Sequence, residues 1–391
     1  MKKLVLLFSA ALALSAFAAP TISDLKVTPI EPLGLAIDYT VSDATTNDFI
    51  RSLEVSFTTN GVAVVAKSLI GETACVNGSH RVYWNVAKDG ISLDATNVSV
   101  KVAYNHVPLE GAQYCVIDLS GGPNAKSYPV FYLETPPDGG FNVPEYKTNK
   151  LVLRHAEDES TVRIVRWLGH TNESDNQPHA VTLTQLFYLG LFEVTQKQWE
   201  LVMGTNPSSF TTDGAMKPVD GVTYDMIRGS KEGSSWPTTN SVDATSFLGK
   251  LRARTGLDFD LPTEAQWECM CRAGSLSVYS YGDSVDGSYM WYAVNSKSMT
   301  HEVGTRKPNK QGFYDMEGNV WEWCLDGYEA TLTTGTDPKG ATSAAGGRVG
   351  RGGCWGNGAA ACTASSRNNW NPSTNRYYSG TSGFRLARTL P

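Results

Sequence analysis

Residues 312–323 read GFYDMEGNVWEW, a sharp turn followed at once by large apolar side chains. The dipeptide Gly318-Asn319 predicts a turn with positive φ, because glycine and asparagine tolerate that conformation best. Such a turn presents backbone carbonyl groups next to the carboxylate of Glu322. Carbonyl and carboxylate oxygens are ligands of hard cations such as calcium. The stretch therefore predicts a cation site or, as the alternative, an ion pair or capping contact at Glu322.

Three further blocks accompany this stretch in a fixed order. Residues 192–196 read FEVTQ, residues 261–268 read LPTEAQWE, and residues 351–355 read RGGCW, with GFRLA at 383–387 closing the set. Each block combines a turn or helix-start signal with buried-type aromatic residues. A single block is a weak signal, whereas all of them in this order are specific.

Two of these blocks contain the spacing of a capping box. Thr195 with Gln198, and Thr263 with Gln266, place a hydroxyl and an amide where they satisfy the first free backbone N–H groups of a helix. We therefore expect helices to begin after Thr195 and Thr263.

A third helix is predicted to begin at Ser241 and to end at Gly256. Its apolar stripe consists of Ala244, Phe247, Leu248 and Leu251.

Taken together, the blocks resemble the formylglycine-generating enzyme family, the sulfatase-modifying factor domain, over residues 150–391. The resemblance implies an α+β fold class with a divergent C-type-lectin-like domain of two helices and short antiparallel strands. It also implies calcium at the Gly318 turn. The ligands carried over are the backbone carbonyls of Glu317, Gly318 and Val320 and the side chain of Glu322.

The same resemblance implies a position for copper. Oxidases of the family hold copper between two cysteines, and two thiolates suit the soft Cu(I) ion. Aligned from Gly353, this chain has Asn357 at the first cysteine position, Cys362 at the second, and Cys354 where the family has serine. An amide oxygen is a hard, weak ligand for Cu(I), so we expect the copper pair to be incomplete. If the chain oxidises a sulfatase cysteine, Cys362 and then Cys354 are the candidate catalytic residues.

The chain contains seven cysteines, an odd number, so at least one has no intramolecular partner. The first 150 residues contain only two of them, which predicts a Cys75–Cys115 bridge. A bridge between Cys271 and Cys362 is implied by some family members. A third hypothesis joins Cys324 to Cys354, if the Trp321 and Trp355 segments lie side by side.

The first 18 residues read as a signal peptide, with Lys2 and Lys3 before a short apolar core and Ala16-Phe17-Ala18 as the cleavage site. No later segment is long and apolar enough to predict a transmembrane helix. We therefore expect a secreted or periplasmic protein without a transmembrane segment in the mature chain.

Residues 19–135 predict a β-sandwich module of the fibronectin or immunoglobulin type. Leu53–Phe57 and Asn97–Tyr104 alternate apolar and polar residues as half-buried strands do, and Asn60-Gly61 is a hairpin turn signal. Nothing in this region calls for catalysis. A spacer or adhesion role is the expected one.

A second hypothesis for the C-terminal region is a binding surface. Residues 357–382 are rich in Asn, Ser, Thr, Tyr, Gly and Trp, the residue types of adaptable recognition surfaces. The candidate ligand-binding residues are Asn357, Trp370, Tyr377 and Tyr378, and the alternative is an ordinary polar loop. The segment also resembles the variable region of lectin-like receptors diversified by retroelements.

The net charge of −6 and the absence of a basic run argue against a nucleic-acid partner. The sequence therefore favours an exported module that binds a protein or glycan partner. The alternatives are a copper-dependent formylglycine-generating oxidase acting on a sulfatase, and a diversified lectin-like receptor.

Overall fold

The structure is a computed structural model that describes residues 20–30, 34–44, 51–59, 62–66, 69–71, 77–86, 88–89, 98–106, 112–156, 164–330, 332, 334–341, 347–374 and 380–390. The predicted signal peptide, the Asn60-Gly61 turn, Cys75, Tyr377 and Tyr378 lie outside the described residues. Contacts divide the chain into two units. The first runs to Ala112 and includes 127–132, and the second contains 113–126 and the chain from Leu133 onward.

The first unit contains two antiparallel sheets. Its strands are β1 (Thr21–Ile30), β2 (Gly34–Ser42), β3 (Arg51–Thr59), β4 (Val62–Val65), β5 (Leu69–Gly71), β6 (Gly78–Trp84) and β7 (Val98–His106), in the sheet orders β1-β2-β6-β5 and β4-β3-β7. Ile37 and Val82 of one sheet share a buried cluster with Val55 and Val102 of the other. Inward-facing residues of two sheets therefore form one core, as in a sandwich, and the predicted all-β region is confirmed.

The remaining strands are short. They are β8 (Tyr114–Asp118), β9 (Val130–Leu133), β10 (Lys150–His155), β11 (Ile164–Leu168), β12 (His179–Leu183), β13 (Phe187–Gly190), β14 (Trp321–Gly327), β15 (Gly335–Thr336), β16 (Arg348–Arg351), β17 (Arg367–Trp370), β18 (Ser382–Gly383) and β19 (Ala387–Thr389). In the second unit β19, β13, β10 and β8 are successive neighbours, and two smaller sheets have the orders β11-β12-β15 and β17-β16-β14-β18. The mixture of small sheets and a few helices is the predicted α+β class.

The described α-helices are α1 (Pro144–Thr148), α2 (Gln196–Met203), α3 (Tyr224–Arg228), α4 (Phe247–Thr255) and α5 (Glu264–Arg272). Both predicted capping boxes are present, at Thr195 for α2 and at Thr263 for α5. None of these helices combines the length and the hydropathy that crossing a membrane requires.

The helix predicted from Ser241 begins later. Ser246 is its N-cap, because the Ser246 hydroxyl accepts the backbone N–H of Gly249 at 3.1 Å, and Gly256 ends it with φ 71° as predicted. Ala244 lies before the helix. The segment before Ser246 does not extend the helix, because the backbone N–H of Asp243 donates to the Arg228 carbonyl at 2.9 Å.

Buried ion pairs join the elements of the second unit. The carboxylate of Glu268 on α5 accepts from Arg351 at 2.5 Å, Arg272 at 2.7 Å and Asn176 at 2.8 Å. Burial alone would raise the pKa of Glu268, but the charges of Arg351 and Arg272 outweigh it and hold the pKa at about 2. A carboxylate so well satisfied stays ionised inside the protein.

A second pair joins Glu322 on β14 to Arg385 near the chain end, with both carboxylate oxygens 2.6 Å from guanidinium nitrogens. The Trp267 indole also donates to Glu322 at 2.7 Å. Arg385 donates further to the carbonyls of Gly190 and Tyr314 at 2.9 and 3.0 Å. This one pair therefore connects the 261–268, 312–323 and 383–387 blocks with Gly190 at the end of β13.

Replacing Arg385 by methionine should leave the Glu322 carboxylate buried without a countercharge. We expect the free energy of unfolding to fall by about 3–5 kcal/mol, measured by urea denaturation. The matched control is Lys197→Met, which removes the cation of an exposed ion pair with Glu200 and should cost less than about 1 kcal/mol. Equal losses in the two variants would contradict a structural role for the Arg385 pair.

Candidate functional site

The two candidate cysteines flank a tight loop that follows β16. Cys354 and Cys362 are both buried, and a short 3-10 helix at Ala359–Ala361 leads into Cys362. Gly353 has φ 75°, and a Cβ atom built there would lie 2.6 Å from Cys362 Sγ. Only glycine at this position lets the two arms of the loop approach each other.

Asn357 lies inside this loop, and its side-chain oxygen is fully used. The Asn357 Oδ1 atom accepts the Trp321 indole N–H at 2.7 Å, and it accepts both the backbone N–H and the thiol of Cys354 at 3.1 Å. At the position where the resemblance places the first copper cysteine, the chain therefore has a hydrogen-bond acceptor that fixes the loop.

The two thiols are held in their protonated form. Cys354 donates to Asn357, and Cys362 Sγ lies 3.8 Å from the carbonyl oxygen of Cys354. Burial raises the pKa of Cys354 to about 11. The pKa of Cys362 is raised further, first by burial and then by the neighbouring Cys354 and Glu317 groups. A reactive thiolate needs an electropositive surrounding, and these two thiols lack one.

Glu317 is a buried acid whose charge acts on Cys362 of this loop. Its carboxylate accepts the backbone N–H of Ser280 at 2.6 Å and the Ser280 hydroxyl at 2.8 Å. Burial raises the pKa of Glu317 to about 7 despite these hydrogen bonds. When ionised, Glu317 opposes thiolate formation at both Cys362 and Cys271.

This donor set does not fit the copper pair that the family resemblance implies. The family pair consists of two sulfur donors separated by four residues, and the first of these positions holds Asn357 with its oxygen already used. The other free thiol, Cys354, lies eight residues before Cys362, which is not the spacing of the family pair. Across the residues that the structure describes, no group of three or more His, Cys, Asp and Glu side chains is arranged to hold a metal ion.

Neither predicted bridge in the second unit is present. Cys271, Cys324, Cys354 and Cys362 are buried free thiols. The hypotheses that joined Cys271 to Cys362 and Cys324 to Cys354 are therefore not supported by the geometry.

Glu322, the proposed calcium ligand, has both of its oxygens occupied. Arg385 and Trp267 donate to them, so a cation could bind the side chain only by displacing Arg385. The Gly318-Asn319 turn has the predicted positive φ, 85° and 57°. While Arg385 is in place the Glu322 carboxylate does not fit a calcium ligand, and calcium at Glu317, Gly318 and Val320 stays a prediction.

The predicted ligand-binding residues differ in exposure. Asn357 is half-buried, whereas Trp370 is 1% exposed and packs against Trp321 and Trp323 with ring centroids 5.6 and 4.9 Å apart. Trp370 therefore supports the surface from beneath, and a ligand does not reach it directly.

The sequence predictions missed an aromatic stack close to Asn357. The Trp291 and His301 rings are parallel within 12° with centroids 3.6 Å apart, and the Arg306 guanidinium carbon lies 3.5 Å from the Trp291 centroid. Trp291 is linked to the cysteine loop because the Ala293 N–H donates to the Asn357 carbonyl at 2.9 Å. A signal existed in the aromatic residues of 289–292, but pairing them with residues 301–306 required the fold.

Comparison with known proteins agrees with this fold and motif set. Treponema denticola variable protein 1 superposes with a TM-score of 0.51 and 29% identity over 62% of this chain and 96% of that protein. The chaperone protein LppX of Paenibacillus barcinonensis is 34% identical over 40% of this chain and 67% of its own length. The formylglycine-generating enzyme of Streptomyces coelicolor is 34% identical over 24% of this chain, and the match spans only 35% of that enzyme.

The fold and the motif blocks define a C-type-lectin-like domain of the formylglycine-generating type. The family model described as sulfatase-modifying factor enzyme 1-like domain matches residues 154–390, and the chain belongs to this family. The resemblance inferred from the motif blocks is thereby confirmed.

The raised pKa of Glu317 predicts a pH dependence of stability. Between the ordinary pKa of 4.5 and the folded value of about 7 the folded chain binds more protons than the unfolded chain. The contribution of Glu317 to the free energy of unfolding is therefore fully present below the ordinary pKa. It is lost as the pH rises through the pKa of the folded state. The contribution is on the order of 3 kcal/mol.

Glu317→Gln should remove this pH-dependent contribution to stability. Urea denaturation of the wild type and the variant from about pH 5 to pH 8 should show a shallower decline of the free energy of unfolding in the variant. The exposed Glu200→Gln serves as the control and should decline as the wild type does. Identical curves for wild type and Glu317→Gln would rule out a buried acid with a raised pKa.

Proposed function

We propose that this chain is an exported binding protein whose C-terminal domain recognises a protein or glycan partner and does not perform copper oxidation. The observation that carries the proposal is Asn357. Its oxygen accepts three hydrogen bonds at the position where an oxidase of the family has a copper cysteine. The signal-peptide pattern of residues 1–18 supports export to the periplasm or the medium.

The surroundings of this loop support binding. Trp355 is half-buried, contacts Phe210 edge-on at 5.3 Å, and donates its indole N–H to the Gly380 carbonyl at 2.6 Å. Aromatic side chains held rigidly at a surface lose little entropy when a ligand binds. One relative, LppX, is named as a chaperone, and a chaperone binds a protein partner.

A direct test uses Asn357→Cys, which restores the spacing of the family's cysteine pair. We expect the wild type to lose Cu(I) to a chromophoric chelator and the variant to retain it, because only the variant offers two sulfur donors at the proper spacing. The wild type should form no aldehyde on a Cys-x-Pro-x-Arg peptide with copper and oxygen. Stoichiometric copper and oxygen-dependent aldehyde in the wild type would replace the binding proposal with the oxidase, whose substrate would be a sulfatase.

The binding proposal is tested positively on arrays of glycans and of peptides probed with the full-length chain. Binding to members of one class, unchanged by a copper chelator, is the expected result. Failure to bind any member of either class would count against a binding role.

The second candidate is a lectin-like receptor diversified by a retroelement. The observation that favours it is the similarity to Treponema denticola variable protein 1 over 96% of that protein. A neighbouring reverse transcriptase gene and a near-copy of the 357–382 segment that differs only at adenines would support this candidate. A genome without both would exclude it.

A further inference from the structure

The loop of residues 292–300 is closed by the ring stack of Trp291 on His301. Since His301 and the Arg306 guanidinium both lie within 3.6 Å of the Trp291 centroid, they must cover opposite faces of the ring. We call the segment 291–306, with its exposed or half-buried residues Trp291, Val294, Lys297, Met299, His301 and Arg306, the Trp291 face. The ring is fixed further, because its indole N–H donates to the Thr305 hydroxyl at 2.9 Å.

Arg306 forms no ion pair with any acid among the described residues. Its Nε atom is buried without a hydrogen-bond partner, and its guanidinium pairs with no carboxylate in the described parts of the chain. The acid that acts on it from a distance is Asp315, which is itself 2% exposed and accepts the Gly304 N–H through one oxygen. An arginine stacked on tryptophan keeps its planar set of donors oriented, so Arg306 presents free donors for an incoming anion.

Three cations act on His301, while the neighbouring Glu302 is paired with Lys147. Lys217, Arg306 and Lys297 each act to lower its pKa, with burial as the largest cause. His301 Nε2 lies 2.7 Å from the Ser296 carbonyl oxygen, and therefore this nitrogen carries the proton. Lys297 and Ser298 both have positive φ, 55° and 57°, and both are exposed. A chain with a net charge of −6 thus has a locally basic surface, which favours an anionic ligand.

The same face exposes apolar side chains. Val294 is 79% exposed and Met299 is 37% exposed. A sugar ring would stack on an open aromatic face, but both faces of Trp291 are covered by Arg306 and His301. Exposed valine and methionine instead suit the side chains of a peptide, and methionine adapts to varied apolar partners.

We propose that the Trp291 face binds an acidic, partly apolar segment of a protein partner, and that Arg306 receives one of its carboxylates. This inference rests on the proposed binding function and narrows its partner class from protein or glycan to protein. A bidentate arginine–carboxylate contact supplies orientation as well as affinity.

The experiment measures fluorescence polarisation of a labelled peptide of alternating glutamate and leucine with the full-length chain. The wild type should bind this peptide and should not bind a peptide of alternating lysine and leucine. Arg306→Gln should weaken binding about tenfold, and the affinity of Arg306→Lys should lie between those of the wild type and Arg306→Gln. Added salt should weaken binding in the wild type.

Lys339→Gln is the control, because Lys339, like the half-buried Arg306, is a cation over a tryptophan, 5.8 Å from the Trp236 centroid, and is exposed. It removes the same charge and should leave the affinity unchanged. Circular dichroism checks that Arg306→Gln remains folded. If Arg306→Gln is not folded, Lys297→Gln at the exposed Lys297 replaces it. We expect this variant to lose affinity measurably, but less than Arg306→Gln.

Equal affinity of wild type, Arg306→Gln and Lys297→Gln for the acidic peptide would overturn the inference. So would displacement of that peptide by polygalacturonate at equal charge concentration, which would identify an anionic glycan as the ligand. Binding of a neutral glycan that is insensitive to Arg306→Gln would overturn the inference and leave the binding function standing. Absence of binding to every peptide and glycan would contradict both this inference and the proposed binding function.

Discussion

The buried pair of Glu322 and Arg385 is the contact on which the rest of the second unit depends. Arg385 reaches the carbonyls of Gly190 and Tyr314, and Trp267 donates to Glu322, so one ion pair joins β13, α5, β14 and the chain end. A buried charge that loses its partner costs several kcal/mol. These segments are therefore held together as a set, which explains how a domain with short strands and few helices keeps one structure.

The features that the sequence predicted best are those decided by neighbouring residues. The capping boxes at Thr195 and Thr263 and the positive-φ turn at Gly318 follow from local hydrogen bonds and sterics, and the structure contains all of them. The motif order identified the family, and alternating strands identified the β-rich first unit. The start of α4 was predicted too early because Asp243 is held by Arg228, a contact that no local pattern encodes.

The site was less predictable because its properties depend on distant parts of the chain. Sequence alignment located Asn357 in place of a cysteine, but that its oxygen accepts from Trp321 and Cys354 required the fold. Trp370 has the residue type of a binding surface and yet is buried against Trp321 and Trp323. Residue type indicates what a side chain is able to do, whereas exposure determines whether a ligand meets it.

In this domain, the contacts that stabilise the interior are different from the groups that lie at the surface. The ion pairs of Glu322 and Glu268 do not involve Cys354 or Cys362, so the contacts that join the helices and strands are separate from the cysteine loop. Arg306 is likewise held by stacking on Trp291, and it forms no ion pair within the described parts of the chain. Family membership therefore fixes the scaffold, and the function must be argued from the groups on it. Here those groups are buried thiols with raised pKa values, an amide oxygen that accepts three hydrogen bonds and, within the described residues, a guanidinium without an ion pair. The proposed recognition of an anion rests on these groups.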